Sequence, residues 1–274
     1  MPEGTVNQGI GASVRRKEDK RFLIGKGNYT DDINRAGQLH VYFLRSPVAF
    51  ADIVSIDKQK AEKASGVAAI LTGEDVAADN LGGPICGWVP TNKDGSAPSE
   101  PPHPILANGR VRYVGDHVAA VFAETLEQAM SAAELIDVTY SEMPAITDLK
   151  TAMDKPQIHD GMESNTYFDW ELGDEAATND AFDKAATIVK VDIRNNRVIP
   201  NAMEPRASLG DYNSSTEEIT LYTANQNPHL TRLVISAFNA VAPEHKFRVV
   251  APDVGGGFGS KIYPYAEDLS LIHI

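Results

Sequence analysis

The chain has 274 residues, of which 42% are hydrophobic, 23% charged and 7% aromatic. This composition is typical of a folded globular protein and excludes a disordered or fibrous chain, while the length allows two ordinary domains. The formal net charge of −13 repels phosphate backbones and anionic lipid headgroups, which argues against nucleic-acid binding. The single cysteine, Cys86, excludes an internal disulfide and any all-cysteine zinc or iron–sulfur site.

The amino-terminal segment resembles an export signal at one point only. Arg15 and Arg16 form a twin-arginine pair, but charged residues follow where an apolar stretch would be required. No apolar run in the sequence approaches the roughly 20 residues needed to cross a bilayer. We therefore expect a cytoplasmic protein with no membrane span, and we interpret residues 1–20 as a lead-in to the first domain.

Residues 21–148 are predicted to form a first domain in which strands and helices alternate. Apolar patterning predicts extended structure over residues 38–44, 53–56, 67–71, 111–122 and 136–140. Asp57 can cap a short helix, and Thr125 with Gln128 forms the capping box of a second helix. One face of that second helix is predicted to carry Leu126, Ala129, Met130 and Ala133. Residues 80–108 are rich in proline and glycine, which predicts a long loop.

Residues 160–268 are predicted to form part of a second domain. Strands are predicted over residues 188–193, 219–222 and 247–250. Asn227 and Pro228 supply a capping residue and a first-turn proline to a helix that extends past Val241 and ends at Pro243. The last strand leads directly into the loop DVGGGFGSK, residues 253–261.

Three consecutive glycines, residues 255–257, lie at the centre of this loop. Glycine allows backbone torsions that are barred to other residues and lets a large ligand lie against bare N–H groups. The spacing matches neither a P-loop nor a dinucleotide fingerprint, because both require glycine where Ser260 stands. Glycine content alone leaves two interpretations, a phosphate or cofactor cradle and a structural bulge between strands.

Five segments occur together in one order and spacing: VRRKEDKRFLIGKGNYTDDI, VRYVGDHVAAVFAETLEQAMSAAELIDVTY, AMEPRASLG, TANQNPH and DVGGGFGSK. On these segments the chain resembles the N-terminal part of the large, molybdenum-binding subunit of the molybdenum hydroxylases. That family contains xanthine dehydrogenase, aldehyde oxidase and aerobic carbon monoxide dehydrogenase. The resemblance runs from Gly11 to about Asp268 and is closest to the bacterial branch that is similar to carbon monoxide dehydrogenase.

The resemblance implies an α+β fold and a multi-subunit parent enzyme. An a/b hammerhead domain over residues 21–148 would precede the first part of a molybdopterin-binding α/β domain, truncated after residue 268, and we interpret residues 269–274 as a non-native tail. The parent enzyme would hydroxylate aldehydes or heterocycles, or oxidise CO, with water as the oxygen source. It would hold molybdenum in a molybdopterin cofactor of the cytosine dinucleotide form. The resemblance further implies a 2Fe-2S small subunit, an FAD medium subunit and a dimer of heterotrimers.

The resemblance also implies roles for individual residues. Gln226 is expected to lie beside the molybdenum and to hydrogen-bond an oxygen of the metal centre, and Phe258 is expected to contact the metal through its backbone. The glycines expected to hold the cofactor are Gly256, Gly257 and Gly259. Glu204 and Arg206 are expected to support the cofactor domain, the alternative being an ordinary ion pair between them. Cys86 is interpreted as a buried or incidental thiol.

Two departures from the family pattern restrict the expected activity. Ile262 stands where purine-hydroxylating members carry an acidic residue, which argues against xanthine as the substrate. The general base of the family is a glutamate in a later domain, so we expect no catalytic residue in this chain and no activity from it alone. The alternatives are a self-contained nucleotide-binding module without redox activity and a fragment whose C-terminal half does not fold stably.

Overall fold

The computed structural model describes residues 9–196 and 198–272, so parts of the predicted lead-in and tail, residues 1–8 and 273–274, lie outside the described residues. The strands of the first half are β1 His40–Arg45, β2 Ala51–Asp57, β3 Val67–Thr72, β4 Arg110–Val111, β5 His117–Ala123 and β6 Asp137–Glu142. Its helices are α1 Asp19–Leu23, α2 Gln59–Glu62, α3 Gly73–Ala78 and α4 Leu126–Ala133. The second half contains α5 Glu175–Asp183, β7 Ser208–Asn213, β8 Glu218–Thr223, α6 Pro228–Ala237, β9 Phe247–Val250 and α7 Ala266–Ile272. No helix within the described ranges is long and apolar enough to span a bilayer.

The first half forms two antiparallel sheets of three strands each. One has the order β1-β5-β3 and the other the order β4-β2-β6. Every residue of β5 is buried, because this strand is covered on both faces. In β1, Val41 and Phe43 are half-buried while His40 and Tyr42 are exposed, which confirms the predicted alternation.

Helix α4 begins at the predicted capping box. Gln128 N donates to Thr125 Oγ1 at 3.2 Å, and Thr125 N donates to Gln128 Oε1 at 2.9 Å. The predicted apolar face is wrong in part, because Leu126 and Met130 are 44% and 43% exposed. The buried residues are Ala129, Ala132 and Ala133, whose small side chains let the helix approach β1 and β5 closely.

The second half contains one sheet, in the order β7-β8-β9. Strands β7 and β8 are antiparallel, whereas β8 and β9 are parallel and α6 lies between them in the chain. Leu230 N donates to Asn227 Oδ1 at 3.1 Å, which confirms the predicted helix cap, but α6 ends at Ala237, short of the predicted end, and Ala240 beyond it has a left-handed φ of 56°. Because β8 and β9 run parallel, the residues that follow each of them meet at the same edge of the sheet.

The predicted strand over residues 188–193 is wrong. This segment has no regular structure, and every described residue from 168 to 201 is exposed. A strand needs a neighbour for its backbone hydrogen bonds, and no strand in the described ranges pairs with this segment. The sequence analysis did not predict helices α1, α3, α5 and α7 or strand β7. Strand β7 is held in the sheet because all six of its residues pair with β8.

One apolar core joins the two halves of the chain. From the first half it contains Val76, Ile105, Leu106, Ala120 and Phe122, and from the second Leu221, Ile235, Phe247, Ala266 and Leu269. Leu269 belongs to the segment that we interpreted as a tail, yet it lies in α7 and is fully buried. The two predicted domains therefore depend on each other for the burial of apolar side chains.

Ion pairs also join the halves. Arginines of the first half meet carboxylates of the second in the pairs Arg21–Asp253, Arg35–Asp211 and Arg45–Glu267. His117 Nε2 lies 2.9 Å from Glu267 Oε1 as well. Burial opposes ionisation of Glu267, but the hydrogen bonds from His117 and Arg45 outweigh it and lower its pKa to about 2. These contacts hold β7, α7 and the segment between β9 and α7 against the first half.

The shared core predicts a single unfolding transition for the whole chain. Phe247→Ala removes a ring that is only 3% exposed, and we expect it to cost about 3–5 kcal/mol of unfolding free energy. The matched control Phe182→Ala, at a 55% exposed position in α5, is expected to change it by less than about 0.5 kcal/mol. Urea denaturation followed by circular dichroism measures both. Protease resistance confined to roughly residues 10–148 would contradict the shared core.

Candidate functional site

The glycine loop, residues 253–261, follows β9 and contains three left-handed residues. Gly256, Phe258 and Gly259 have φ of 105°, 51° and 90°. This conformation is strained for Phe258, which has a Cβ and is nevertheless 75% exposed. Ser260 holds the turn, because both its N–H and its hydroxyl donate to Gly257 O, at 2.9 and 2.8 Å. The loop therefore presents an aromatic ring and bare backbone at the surface.

Gln226 fixes the shape of this loop from the end of the neighbouring strand. Its backbone N donates to Lys261 O at 2.8 Å, and its side-chain Oε1 accepts from Gly259 N at 2.9 Å and from Lys261 N at 3.3 Å. Since Oε1 faces these donors, the Nε2 group of the amide faces away from them, and it has no hydrogen bond to any residue in the described part of the chain. Gln226 is exposed, so its Nε2 can donate a hydrogen bond to a ligand.

Gly257 is a glycine because Gln226 occupies the space beside it. A Cβ built on Gly257 would lie 2.3 Å from Gln226 Oε1 and 2.5 Å from its Cδ. Gly255 is restricted in the same way, because a Cβ there would lie 2.5 Å from the Cβ of Glu204. Open space surrounds Gly259, which needs glycine for its positive φ instead.

Glu204 and Lys261 form a buried ion pair beneath the loop. Lys261 is 2% exposed, and its Nζ donates to Glu204 O at 2.8 Å and to Glu204 Oε2 at 3.0 Å. Gly255 N donates to the same Oε2 at 2.7 Å. The other oxygen, Oε1, is buried and has no hydrogen-bond partner among the residues that the structure covers. The sequence analysis quoted Lys261 within the motif but gave it no role, and the available signal was a lysine that directly follows a glycine loop.

Arg206 contacts the opposite end of the loop. Its guanidinium donates to Ser260 O, lies 3.5 Å from the centre of the Tyr265 ring and is 3.7 Å from Asp268. Burial raises the pKa of Asp268, while hydrogen bonds from Ser208 and from Tyr265 N oppose that rise. The alternative of an ion pair between Glu204 and Arg206 is therefore wrong, because Glu204 pairs with Lys261 of the loop and Arg206 with Asp268 of α7.

Asp253 anchors the start of the loop to the first half of the chain. Two guanidinium nitrogens of Arg21 donate to its two carboxylate oxygens, and Asn28 N donates to Oδ2 at 2.7 Å. These hydrogen bonds, with that from Arg21 the stronger, lower the pKa of Asp253 from 3.8 to about 2. Asp253 N donates in return to Asn28 O at 3.1 Å.

The remaining candidate residues lie outside this site. Cys86, which was interpreted as a buried or incidental thiol, is exposed in the long loop before β4. Within residues 9–196 and 198–272, no group of three or more His, Cys, Asp or Glu residues is arranged to hold a metal ion. The site around the glycine loop instead offers the Nε2 amide group of Gln226 and the loop backbone. Such groups suit a large ligand that carries several hydrogen-bonding atoms.

Comparison with known families gives two matches that together cover most of the chain. Residues 24–144 match the a/b hammerhead domain of aldehyde oxidase and xanthine dehydrogenase. Residues 158–273 match the molybdopterin cofactor-binding domain. The chain belongs to the molybdenum hydroxylase family. These matches confirm the predicted α+β fold, in which a hammerhead domain precedes a molybdopterin-binding domain.

Individual relatives agree with this assignment. The carbon monoxide dehydrogenase large chain of Afipia carboxidovorans is 36% identical over 94% of this chain and 32% of its own length. The nicotine 6-hydroxylase large subunit of Paenarthrobacter nicotinovorans is 30% identical over 96% of this chain and 31% of its own length. The chain thus spans about a third of the length of these relatives.

Solved structures of the family superpose closely on this fold. Quinoline 2-oxidoreductase from Pseudomonas putida 86 is 37% identical, with a TM-score of 0.81 over 94% of this chain and 32% of its own. Reconstituted CO dehydrogenase from Oligotropha carboxidovorans is 33% identical, with a TM-score of 0.84 over 97% of this chain and 33% of its own.

The contact between Gly257 and Gln226 predicts a measurable coupling. Gly257→Ala is expected to displace the Gln226 amide from its two loop donors and to cost about 1–2 kcal/mol of unfolding free energy. In a Gln226→Ala background the same substitution is expected to cost little, because the colliding atoms are gone. A double-mutant cycle by urea denaturation measures the difference. Equal costs in both backgrounds would show that the two residues do not interact.

The Arg21–Asp253 pair predicts a pH-dependent contribution to stability. The pKa of Asp253 is depressed in the folded state, so the stabilisation is complete above its ordinary value of 3.8 and is lost as pH falls through about 2. Arg21→Gln is expected to move the Asp253 pKa back toward 3.8, as measured by carboxyl-carbon NMR. The control Arg16→Gln breaks the exposed pair with Asp19 and is expected to leave the Asp253 pKa unchanged. An Asp253 pKa that does not respond to Arg21→Gln contradicts this assignment.

Proposed function

We propose that the polypeptide to which this chain belongs is the molybdenum-binding subunit of an oxidoreductase. Its glycine loop and Gln226 would hold a molybdopterin cofactor against the edge of the β7-β8-β9 sheet. The observation that carries this proposal is the Nε2 amide group of Gln226, which has no hydrogen-bond partner within residues 9–196 and 198–272 and is held in place by the hydrogen bonds of its own Oε1.

The residues around the loop fit such a cofactor. Gly257 lets the Gln226 amide lie directly against the loop, and Gly256 and Phe258 adopt positive φ in a loop where Phe258 and Gly259 are exposed. Gln226 is neutral, so it can donate a hydrogen bond to a ligand of the metal without changing the charge of the site. Gln226, Gly256, Gly257, Phe258 and Gly259 are the proposed contact residues, and Glu204 and Arg206 are proposed to support them.

The carboxylates around the loop are not placed to act as the base of the reaction. When bound, the cofactor supplies two-electron oxidation with water as the oxygen source. Glu204 is paired with Lys261, and Asp253, with a pKa of about 2, is too weak a base to accept a proton at neutral pH. Asp268 is buried and accepts hydrogen bonds from Ser208 and Tyr265. The residues of this loop therefore bind and orient, and the proton acceptor is proposed to be a glutamate outside this chain.

The proposed substrate is CO, an aldehyde or an N-heterocycle. Relatives whose names include carbon monoxide dehydrogenase and nicotine 6-hydroxylase support this range. Ile262 supplies no acidic group beside the loop lysine, which is why we exclude xanthine from the proposal.

The proposed partners are a 2Fe-2S small subunit and an FAD medium subunit in a cytoplasmic dimer of heterotrimers. With one cysteine, this chain cannot ligate a four-cysteine cluster, so electrons would leave through another chain. The relatives described as a large chain and a large subunit support a division among subunits. The cytosine dinucleotide form of the cofactor is part of the same proposal.

The nucleotide-binding alternative is less favoured by the loop geometry. The N–H groups of Gly259 and Lys261 donate to Gln226, and that of Gly255 donates to the carboxylate of Glu204. These three donors are already engaged, so they are not available to cradle a phosphate.

The proposal predicts that Gln226 matters more for turnover than for stability. In the polypeptide made from the complete natural gene, in a host that produces molybdenum cofactors, Gln226→Ala is expected to lower turnover about 10–100-fold. Turnover of CO, aldehydes and N-heterocycles with an artificial electron acceptor, and bound pterin and molybdenum, are the measurements. The control Gln59→Ala, at an exposed position in α2, is expected to retain full turnover.

The 274-residue chain alone is expected to show no turnover and less than one molybdenum per chain. Turnover by the chain alone would contradict the assignment of the base to another part of the enzyme. Stabilisation by ATP, NAD or FAD that disappears in Gly257→Val would favour the nucleotide-binding alternative instead.

A further inference from the structure

Lys261 connects two sets of hydrogen bonds that hold the glycine loop. Its backbone N donates to Gln226 Oε1 at 3.3 Å, and its backbone O accepts from Gln226 N at 2.8 Å. Its side chain contacts a different residue, because Nζ donates to Glu204 O at 2.8 Å and to Glu204 Oε2 at 3.0 Å. One residue therefore joins the buried carboxylate of Glu204 to the amide that is proposed to face the cofactor.

A single carboxylate oxygen, Glu204 Oε2, contacts both ends of the glycine segment. It accepts from Gly255 N at 2.7 Å, where the segment begins, and from Lys261 Nζ, where the segment ends. The backbone of Glu204 also pairs with the first glycine, since Glu204 N donates to Gly255 O at 3.4 Å. These contacts close residues 255–261 into a loop whose ends cannot separate without breaking a charge-assisted hydrogen bond.

The burial of this ion pair favours a role in geometry over a role in stability. Lys261 is 2% exposed and the Glu204 side chain is 12% exposed, so both charges have been removed from water at considerable cost. Apolar side chains of the same volume often stabilise a protein as well as such a pair does. Apolar side chains cannot supply direction, however, because only a hydrogen bond requires a donor and an acceptor at a defined distance and angle.

We propose that Lys261 is a positioning residue, which sets the orientation of the Gln226 amide by closing the glycine loop on Glu204. Its relevance to catalysis rests on the proposed function, in which Gln226 Nε2 donates a hydrogen bond at the metal centre. Without the hydrogen bonds of Nζ, the backbone of residue 261 can move, and the two hydrogen bonds between this backbone and Gln226 weaken. The amide then samples several orientations, and fewer of them present Nε2 to the cofactor.

Two substitutions separate positioning from stability. Lys261→Met removes the ammonium at similar side-chain length and leaves the Glu204 carboxylate buried without its cation, so we expect a large loss of stability. Addition of Glu204→Gln removes both charges, and the new amide oxygen can still accept from Gly255 N, so we expect most of the stability to return. The double variant still lacks the ammonium, so the orientation of Gln226 is not expected to return.

Hydrogen exchange and NMR of the 274-residue chain report this orientation without a cofactor. Gly259 N donates to Gln226 Oε1, so we expect its exchange to be at least about tenfold faster in Lys261→Met and in the double variant. The Nε2 protons of Gln226, identified by the loss of their signals in Gln226→Ala, are expected to shift toward those of a mobile glutamine in both variants. Urea denaturation of the same samples measures stability. If Lys261→Met does not fold, the double variant, which leaves no unpaired buried charge, decides the result alone.

Lys58 provides a matched control in the first half of the chain. Its Nζ also donates to a backbone carbonyl, that of Ile70 at 3.0 Å, and lies 3.4 Å from a carboxylate oxygen, Asp75 Oδ2. Lys58→Met is therefore expected to lower stability, to leave the exchange rate of Gly259 within about twofold and to leave the Gln226 signals unchanged.

Turnover of the assembled enzyme tests the consequence for the proposed function. In the polypeptide made from the complete natural gene, in a host that produces molybdenum cofactors, the double variant is expected to lower kcat per bound molybdenum about tenfold. The KM for the substrate is expected to change less than about twofold, because Lys261 is buried beneath the loop and acts only through Gln226.

Three results would overturn the proposal. Exchange of Gly259 and signals of Gln226 that match those of the unaltered chain would show that Lys261 does not position the amide. Recovery of both together with stability in the double variant would identify the pair as a structural ion pair only. A raised KM with unchanged kcat would assign the effect to substrate binding. If the unaltered polypeptide binds no molybdopterin, the proposed function fails, and the exchange and NMR results still decide whether Lys261 positions Gln226.

Discussion

The buried ammonium of Lys261 is the constraint on which the candidate site depends. A charge that is 2% exposed is costly unless it is neutralised and hydrogen-bonded, and Glu204 supplies both the carboxylate and a backbone carbonyl. This pairing draws the segment before β7 beneath the glycine loop, although that segment has no regular structure of its own. Gly255 N then donates to the same carboxylate, so one buried charge positions both sides of the loop.

The C-terminal half of the glycine loop is held by Gln226. Its Oε1 accepts from two loop N–H groups, and this leaves its Nε2 amide group able to donate to a ligand. The close approach requires Gly257, and the resulting turn places Phe258 in a left-handed conformation at the surface. Internal hydrogen bonds thus prepare the site before any ligand arrives, which reduces the cost of ordering it on binding.

The same chain contains one segment whose local preference the fold leaves unmet. Residues 187–194 have the alternation of a strand but remain exposed, in contrast to β7, which pairs along its whole length with β8. β7 forms a strand because β8 satisfies its backbone hydrogen bonds, whereas no strand in the described ranges does so for residues 187–194.

The sequence by itself determined the features that depend on neighbouring residues in the chain: the alternation of β1, the capping box at Thr125, the cap at Asn227 and a glycine loop after a strand. Its resemblance to a family further indicated Gln226 and the loop glycines as site residues. Tertiary structure alone decided that Glu204 pairs with Lys261, that Leu126 and Met130 are exposed, and that the halves share one core. Local patterns report torsions and periodicity, whereas the choice of a charge partner or a buried face depends on which distant segments come together, and no local pattern encodes that.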